Sequence, residues 1–587
     1  MWKFIKQVFA TFFAIIIAIF FLILIGVGIA ASTSSKQGIV EIKDNSVLHL
    51  QLNKRILEKE EENPFEGLDI PFTSDRGGMG LIELVKAIKY AKTDSKIKGI
   101  YLELSAIPAG YAMVEEIRAA LLDFKESGKF IYSYSESYFE NGYYLASVAD
   151  KILLNPSGLL EFNGIQYKYT FFKGALQKLE IEPQVFRVGE YKSAVEPFLL
   201  DKMSDANRKQ SLSFISSINN YHLEQIGLSR DIPFKKIKNI SDSMLVHNAN
   251  DAVKYDLVTD LVYYDQVLEL LRKALKLDEK TKPELVSYNK YKSTIKEPTN
   301  NSKNIVAVLV AEGDINTGKS EDGTIGSDNL SEEIRKLRLD DNVKSVVLRI
   351  NSPGGSALAS DIMWREIVLL AEKKPIVASM SDVAASGGYY IAMGCTKIVA
   401  DKNSITGSIG VFGLIFNIKD FLKNKLGITT DGVQTGLFSD IGTMSRPLTT
   451  FERKVIQQEV DNIYKDFVEK AAKGRNMTVD SLKKLASGRV WSGIEAQNNG
   501  LVDELGGLGM AIELAAKSAK IDTSYKIEYR PASKNVIEKF IEDFQNESKM
   551  KTLQSELGEN LNIYMTAKKI QKMVGIQARM PFGSELE

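Results

Sequence analysis

The chain has 587 residues, several times the roughly 100 to 200 of a typical domain, which excludes a single small binding module. Its 75 Lys and Arg balance 75 Asp and Glu, leaving no global field to hold nucleic acid or an acidic membrane surface. One cysteine, Cys395, excludes an intrachain disulfide or a CxxC metal site, and three scattered histidines, His49, His222 and His247, do not make a zinc cluster.

The first element is apolar. No charged residue occurs from Gln7 to Ser35, and Val8 to Ala31 is nearly continuous Phe, Ile, Leu, Val and Ala. Twenty-four residues suffice as a helix to cross a hydrocarbon core of about 30 Å, and the run is longer than the apolar part of a cleavable signal. Residues 1–35 therefore read as a cytoplasmic stub and one transmembrane anchor. Lys3 and Lys6 before it place the body beyond it on the outer side.

The body contains an internal repeat. Residues 84–164 align without a gap on 330–410, an offset of 246, with 15 of 81 pairs identical against about 5 expected by chance. The pairs include Asp94 with Asp340, Ser133 with Ser379, and Gly142-Tyr143-Tyr144 with Gly388-Tyr389-Tyr390. In the first copy, residues 36–290, strands are expected at 48–52, 99–104 and 130–134, with helices at 80–92 and 113–126. A linker is expected at 291–304, where the sequence is mostly polar. In the second copy, 305–525, strands are expected at 305–311, 345–350 and 376–380, with helices at 328–338 and 358–373. Apolar strands alternating with helices predict an α/β fold with parallel sheets. Residues 526–587 read as a polar, helical tail.

The differences between the copies point to chemistry. The second copy has Asn351-Ser352-Pro353-Gly354-Gly355-Ser356 where the first has Ser105 to Gly110. A Gly-Gly turn before a helix exposes backbone N–H groups to an anion, whether phosphate or developing oxyanion. The second copy also has Ser386 and Gly387, among small residues at the head of a helix, where the first has Glu140 and Asn141. Such a serine suits a nucleophile, and the following glycine offers another N–H. With no histidine in a matching context, the base is expected to be a lysine kept neutral by burial. The first copy supplies Lys192 in Gly189-Glu190-Tyr191-Lys192-Ser193-Ala194-Val195-Glu196-Pro197-Phe198, whereas the matching stretch 434–447 of the second copy has Ser439 and no lysine. One site built from the lysine of one copy and the serine of the other explains both losses.

Together these two motifs, Asn351 to Ser356 and Thr406-Gly407-Ser408-Ile409-Gly410 resemble the long form of the signal peptide peptidase A family. The resemblance extends over nearly all of residues 1–525. It implies a tandem ClpP/crotonase-like fold preceded by one transmembrane helix and an outward-facing anchor in the bacterial cytoplasmic membrane. It also implies a homotetramer that degrades signal peptides and other apolar peptides without a cofactor. By the same resemblance Ser386 is the nucleophile, Lys192 the general base, and Ser408 the residue that orients the lysine. Gly354, Gly355 and Gly387 then line the oxyanion hole. A crotonase-like acyl-CoA enzyme and a non-catalytic membrane scaffold of the same fold are the alternative readings.

Overall fold

The computed structural model describes residues 41–60, 78–295, 302–321, 323–521, 524–531, 552–558, 561–571, 573–580 and 585–586, with scattered positions before residue 18. The expected anchor lies almost wholly outside the described residues. Among those described, no helix is long and apolar enough to cross a membrane.

Each copy carries a sheet of parallel strands. The first runs, edge to edge, 284–287, 46–51, 97–103, 130–138, 151–160 and 260–261. The second runs 490–492, 405–407, 376–385, 343–352, 305–312 and 526–530, with 397–400 also on 376–385. Its pairs are parallel except at 490–492. Strand 305–312, IVAVLVAE, shows why: covered on both faces, it is Val, Ile, Leu and Ala without a break from 305 to 311 rather than an alternation. The helices Leu81–Thr93 and Tyr111–Lys125 recur as Ser327–Leu339 and Ala357–Ala371, each displaced by the 246 residues of the repeat.

The copies are interlocked rather than strung side by side. Asp382 of the second copy caps the helix Tyr111–Lys125 of the first, its Oδ1 accepting from Ala112 N at 2.9 Å and Met113 N at 3.0 Å. Fully buried Arg349 donates to Glu58 at 2.6 Å, pairs with Glu116 at 2.6 Å, and donates to Ser379 and Ser381 at 3.0 Å each. Loss of that guanidinium would strand two carboxylates in the interior, a change costing about 3–5 kcal/mol.

A third sheet draws on both copies and the tail. Its order is 324–326, 314–316, 354–356, 575–579, 412–417 and 182–187. Here the first copy's strand Glu182–Arg187 pairs antiparallel with the second copy's Phe412–Asn417. Ala194, Val195 and Phe198 pack against Phe412, Leu414, Phe416 and Met573 in a small apolar cluster.

Two boundaries differ from the sequence reading. Tyr291, expected in the linker, closes a short helix of the first copy, fully buried, with its hydroxyl donating to Asp94 at 3.0 Å. An aromatic ring with a hydrogen-bonded tip is worth more in a core than in a polar connector. The tail is not only helical: Lys526–Arg530 extends the second sheet beside Ile305–Glu312, and Gly575–Arg579 sits inside the third.

Candidate active site

The third sheet and the second copy's switch from strand to helix bring the singled-out residues together. Lys192 Nζ lies 2.8 Å from Ser386 Oγ, 3.2 Å from Ser408 Oγ and 3.2 Å from the Ser408 carbonyl oxygen. All three residues are fully buried. Ser386 Oγ also lies 3.3 Å from the Gly410 carbonyl oxygen.

Each position has a local cause. Ser386 stands between strand 376–385 and helix 387–392 with φ +55°, a conformation a non-glycine residue rarely holds, and its N–H donates to Gly407 O at 2.8 Å. That bend lifts the hydroxyl off the strand end. Small neighbours are required: a Cβ on Gly387 would stand 2.7 Å from Ser360 Oγ, and one on Gly388 2.6 Å from Ser352 O. Gly354 and Gly355 form a short strand rather than a bare turn, followed by a helix that Ser356 caps at Ala359 N. Gly354 has φ +95°, and a Cβ there would meet Gly387 N at 2.6 Å, so the two predicted oxyanion segments touch.

Lys192 is threaded through glycines. Gly189, at φ +102°, lets Tyr191 N donate to Ser487 O at 3.0 Å. Gly488, at φ +80°, leaves room for the Lys192 backbone, which a Cβ there would meet at 2.7 Å. Gln210 holds the segment from the side, donating to Tyr191 O and Ser193 Oγ at 3.0 Å each. Sequence reasoning missed Gly488 and Gln210. The small pair Ser487-Gly488 before a strand was the available signal for the first; a glutamine within a long helix carries none.

Burial pushes the Lys192 ammonium well below its ordinary range. The neighbouring carboxylate does not oppose this. Glu196 turns away, accepting from Ser204 N at 3.2 Å, Ser204 Oγ at 2.5 Å and Asn207 Nδ2 at 2.9 Å. An amine held neutral 2.8 Å from a hydroxyl can take its proton.

The same burial has a stability signature. The folded chain binds fewer protons than the unfolded chain between the depressed pKa and the ordinary value of about 10.4, so stability rises with pH across that window. Lys192→Met is therefore expected to be more stable than the parent at neutral pH. Its advantage should shrink by about 1.4 kcal/mol per pH unit within the window and level off above about pH 10.4. Denaturant midpoints of the two proteins at a series of pH values measure this, and a pH-independent difference would contradict it.

The histidines lie elsewhere. His222 is buried and stacked on Tyr144 at 3.9 Å, with its pKa pushed down to about 3 by desolvation. His49 pairs with Glu103 at 2.8 Å, and His247 is exposed beside Asp251. In the first copy Glu140 occupies the place of Ser386, accepting from Asn163 N at 2.8 Å and Gly164 N at 2.6 Å; burial raises its pKa to about 7. No group of His, Cys, Asp and Glu fit to hold a metal occurs among the described residues.

The sequence matches the family described as Peptidase family S49 over residues 123–278 and 369–522, one segment in each copy. It is 36% identical over 515 residues to Protease 4 of Salmonella typhi, covering 85% of this chain and 82% of that protein. It is 35% identical over 496 residues to the chloroplastic serine protease SPPA of Arabidopsis thaliana, covering 83% of this chain and 71% of that protein. Among solved structures, a point mutant of ClpP1 from Listeria monocytogenes aligns at a TM-score of 0.24 and 15% identity, over 35% of this chain and 94% of that one. With a family segment in each of its α/β copies and relatives matched over most of their length, the chain belongs to peptidase family S49 and is a serine protease.

Proposed function

We propose that this serine protease uses a Ser-Lys dyad, with Ser386 as nucleophile and Lys192 as general base. The observation that carries this reading is the 2.8 Å approach of a buried lysine, with no carboxylate against it among the described residues, to a serine on a strained bend. Lys192 takes the Ser386 proton as Oγ attacks a peptide carbonyl. Ser408 holds the amine in place from 3.2 Å. Backbone N–H groups at Gly354, Gly355 and Gly387 receive the oxyanion, and the lysine returns the proton to the leaving amine. Water activated by the same lysine then releases the acyl group.

The tandem copies adopt a ClpP/crotonase-like fold. Substrates are extended apolar peptides, cleaved signal peptides among them, with small side chains at the cut. Val8 to Ala31 anchors the protein in the bacterial cytoplasmic membrane with the body on the outer side, and four chains form a bowl with the sites on its inner wall. The test of the dyad is a serine-directed phosphonate probe. Peptide mapping should find the adduct on Ser386, with labelling of Lys192→Met slowed at least as much as peptide cleavage; an adduct on another serine would reject the assignment.

A further inference from the structure

The repeat carries the active site onto a second place in the molecule. At the offset of 246, Ser352, Gly355, Ser386, Gly387 and Gly410 correspond to Ala106, Ala109, Glu140, Asn141 and Gly164 of the first copy. All five of these line a cavity of about 1080 Å³, which the second copy closes with Asp382, Val383 and Ile405. The first copy lacks the nucleophile but keeps a hollow in its place.

The chemistry of that hollow is anionic. Glu140, Glu161, Asp242 and Asp382 line it, and among the described residues no Lys, Arg or His does. Lys238 pairs with Asp242 at 3.1 Å. Glu140 Oε1 accepts from Asn163 N and Gly164 N, and Asp382 Oδ1 from Ala112 N and Met113 N. The second oxygen of each carboxylate has no donor among the described residues. Gly110 makes room for one of them, since a Cβ there would stand 2.2 Å from the Asp382 carboxyl carbon. Burial raises the Asp382 pKa to about 6, and burial together with the charge of Glu161 raises that of Glu140 to about 7. Both groups carry charge at a cost that an arriving cation relieves.

An orphaned amide points to a ligand independently. Asn403, in the wall of the same cavity and 2% exposed, has no partner for either Oδ1 or Nδ2 among the described residues. A buried amide left unsatisfied opposes folding until a polar group meets it. Tyr111, Phe139 and Tyr167 add aromatic surface alongside, suited to the aliphatic stem of a lysine or arginine. The acids do not converge as metal ligands do, because no group fit to hold a metal ion occurs among the described residues.

We propose that this cavity binds the ammonium or guanidinium group of a peptide held at the active site, with Glu140 and Asp382 receiving the charge and Asn403 a further hydrogen bond. Asp382 lies four residues before Ser386 on the strand that leads to it, roughly 13 Å along an extended chain. A peptide stretched between the two places carries its basic residue within about four residues of the bond that is cut. That spacing rests on the Ser386 role given above; the cation site does not. The first copy thereby reads a residue of the peptide that the second copy cuts.

A set of fluorescent apolar peptides, identical but for a single lysine or norleucine walked along them, tests this by equilibrium binding to the full-length Ser386→Ala protein. The best-placed lysine peptide should bind about 10-fold more tightly than its norleucine twin, the contribution of one charge-assisted hydrogen bond. Adding Glu140→Gln should cut that advantage to below about 3-fold. Glutamine has the same shape and keeps the acceptor for Asn163 and Gly164. Asn403→Leu removes an amide that has no partner to lose, and should reduce the same advantage. Equal affinity for lysine and norleucine at every position, or a lysine advantage that survives both variants, would overturn the site. Butylammonium chloride that raises the thermal midpoint of wild type but not of Glu140→Gln, with no lysine peptide preferred, would put a free amine in the cavity and overturn the peptide assignment. Mass spectrometry of the recovered peptide reads the other role: cutting by Ser386→Ala would remove the proposed nucleophile and leave the cation site standing.

Discussion

Replacing Lys192 with methionine is expected to lower kcat/KM on an apolar peptide by roughly 10²- to 10⁴-fold, the contribution of a positioned general base. The chain should stay folded. Methionine matches the lysine stem in length, and Lys192 is fully buried, packed against the glycines at 410 and 488. Ser386→Ala should lose at least as much, because it removes the covalent route. The two losses should not multiply in the double variant, since base and nucleophile serve one step. A double variant slower than either single one by the product of their losses would show that the two side chains act independently.

The second large effect is expected at a residue that carries no reacting atom. Gly488→Ala places a methyl 2.7 Å from the Lys192 N, Cα and Cβ atoms, at a residue whose φ is +80°. Neither side can yield cheaply, because the obstacle is backbone. The lysine segment must shift, and a displacement of about 1 Å in a catalytic group costs on the order of 100-fold in rate. The strained backbone should also lower stability by about 1–3 kcal/mol. Turnover and thermal unfolding measured on the same preparation separate the two: a variant with parental kcat would show that the glycine serves only the loop.

Much of this architecture is legible in the residues, for a physical reason. Buried parallel strands must be apolar along their whole length, so runs such as Ile305–Ala311 declare themselves. A duplication lets each copy check the other: helix 81–93 is supported by helix 327–339. Ser386 and Gly387 are visible because the first copy, with Glu140 and Asn141, has the same scaffold without them. What escapes is whatever depends on long-range pairing. No local pattern says that Glu182–Arg187 joins the other copy's sheet, or that Glu196 turns to Ser204 and Asn207 rather than to Lys192. The polar average of the tail hides its strand. The last part, Gly575-Ile576-Gln577-Ala578-Arg579-Met580, alternates apolar and polar residues with the period of a strand, and six residues are short enough to be lost in a segment of sixty.

The division of the site between the copies sets a clock on biosynthesis. Lys192 leaves the ribosome 194 residues before Ser386, and the strand that brackets the serine from the other side follows later still. No partial chain that stops short of the second copy can contain the pair. Premature termination anywhere in the first copy yields a fragment with a lysine and no serine beside it. On the proposed dyad, the newborn polypeptide therefore has no Ser-Lys site until most of it has been made.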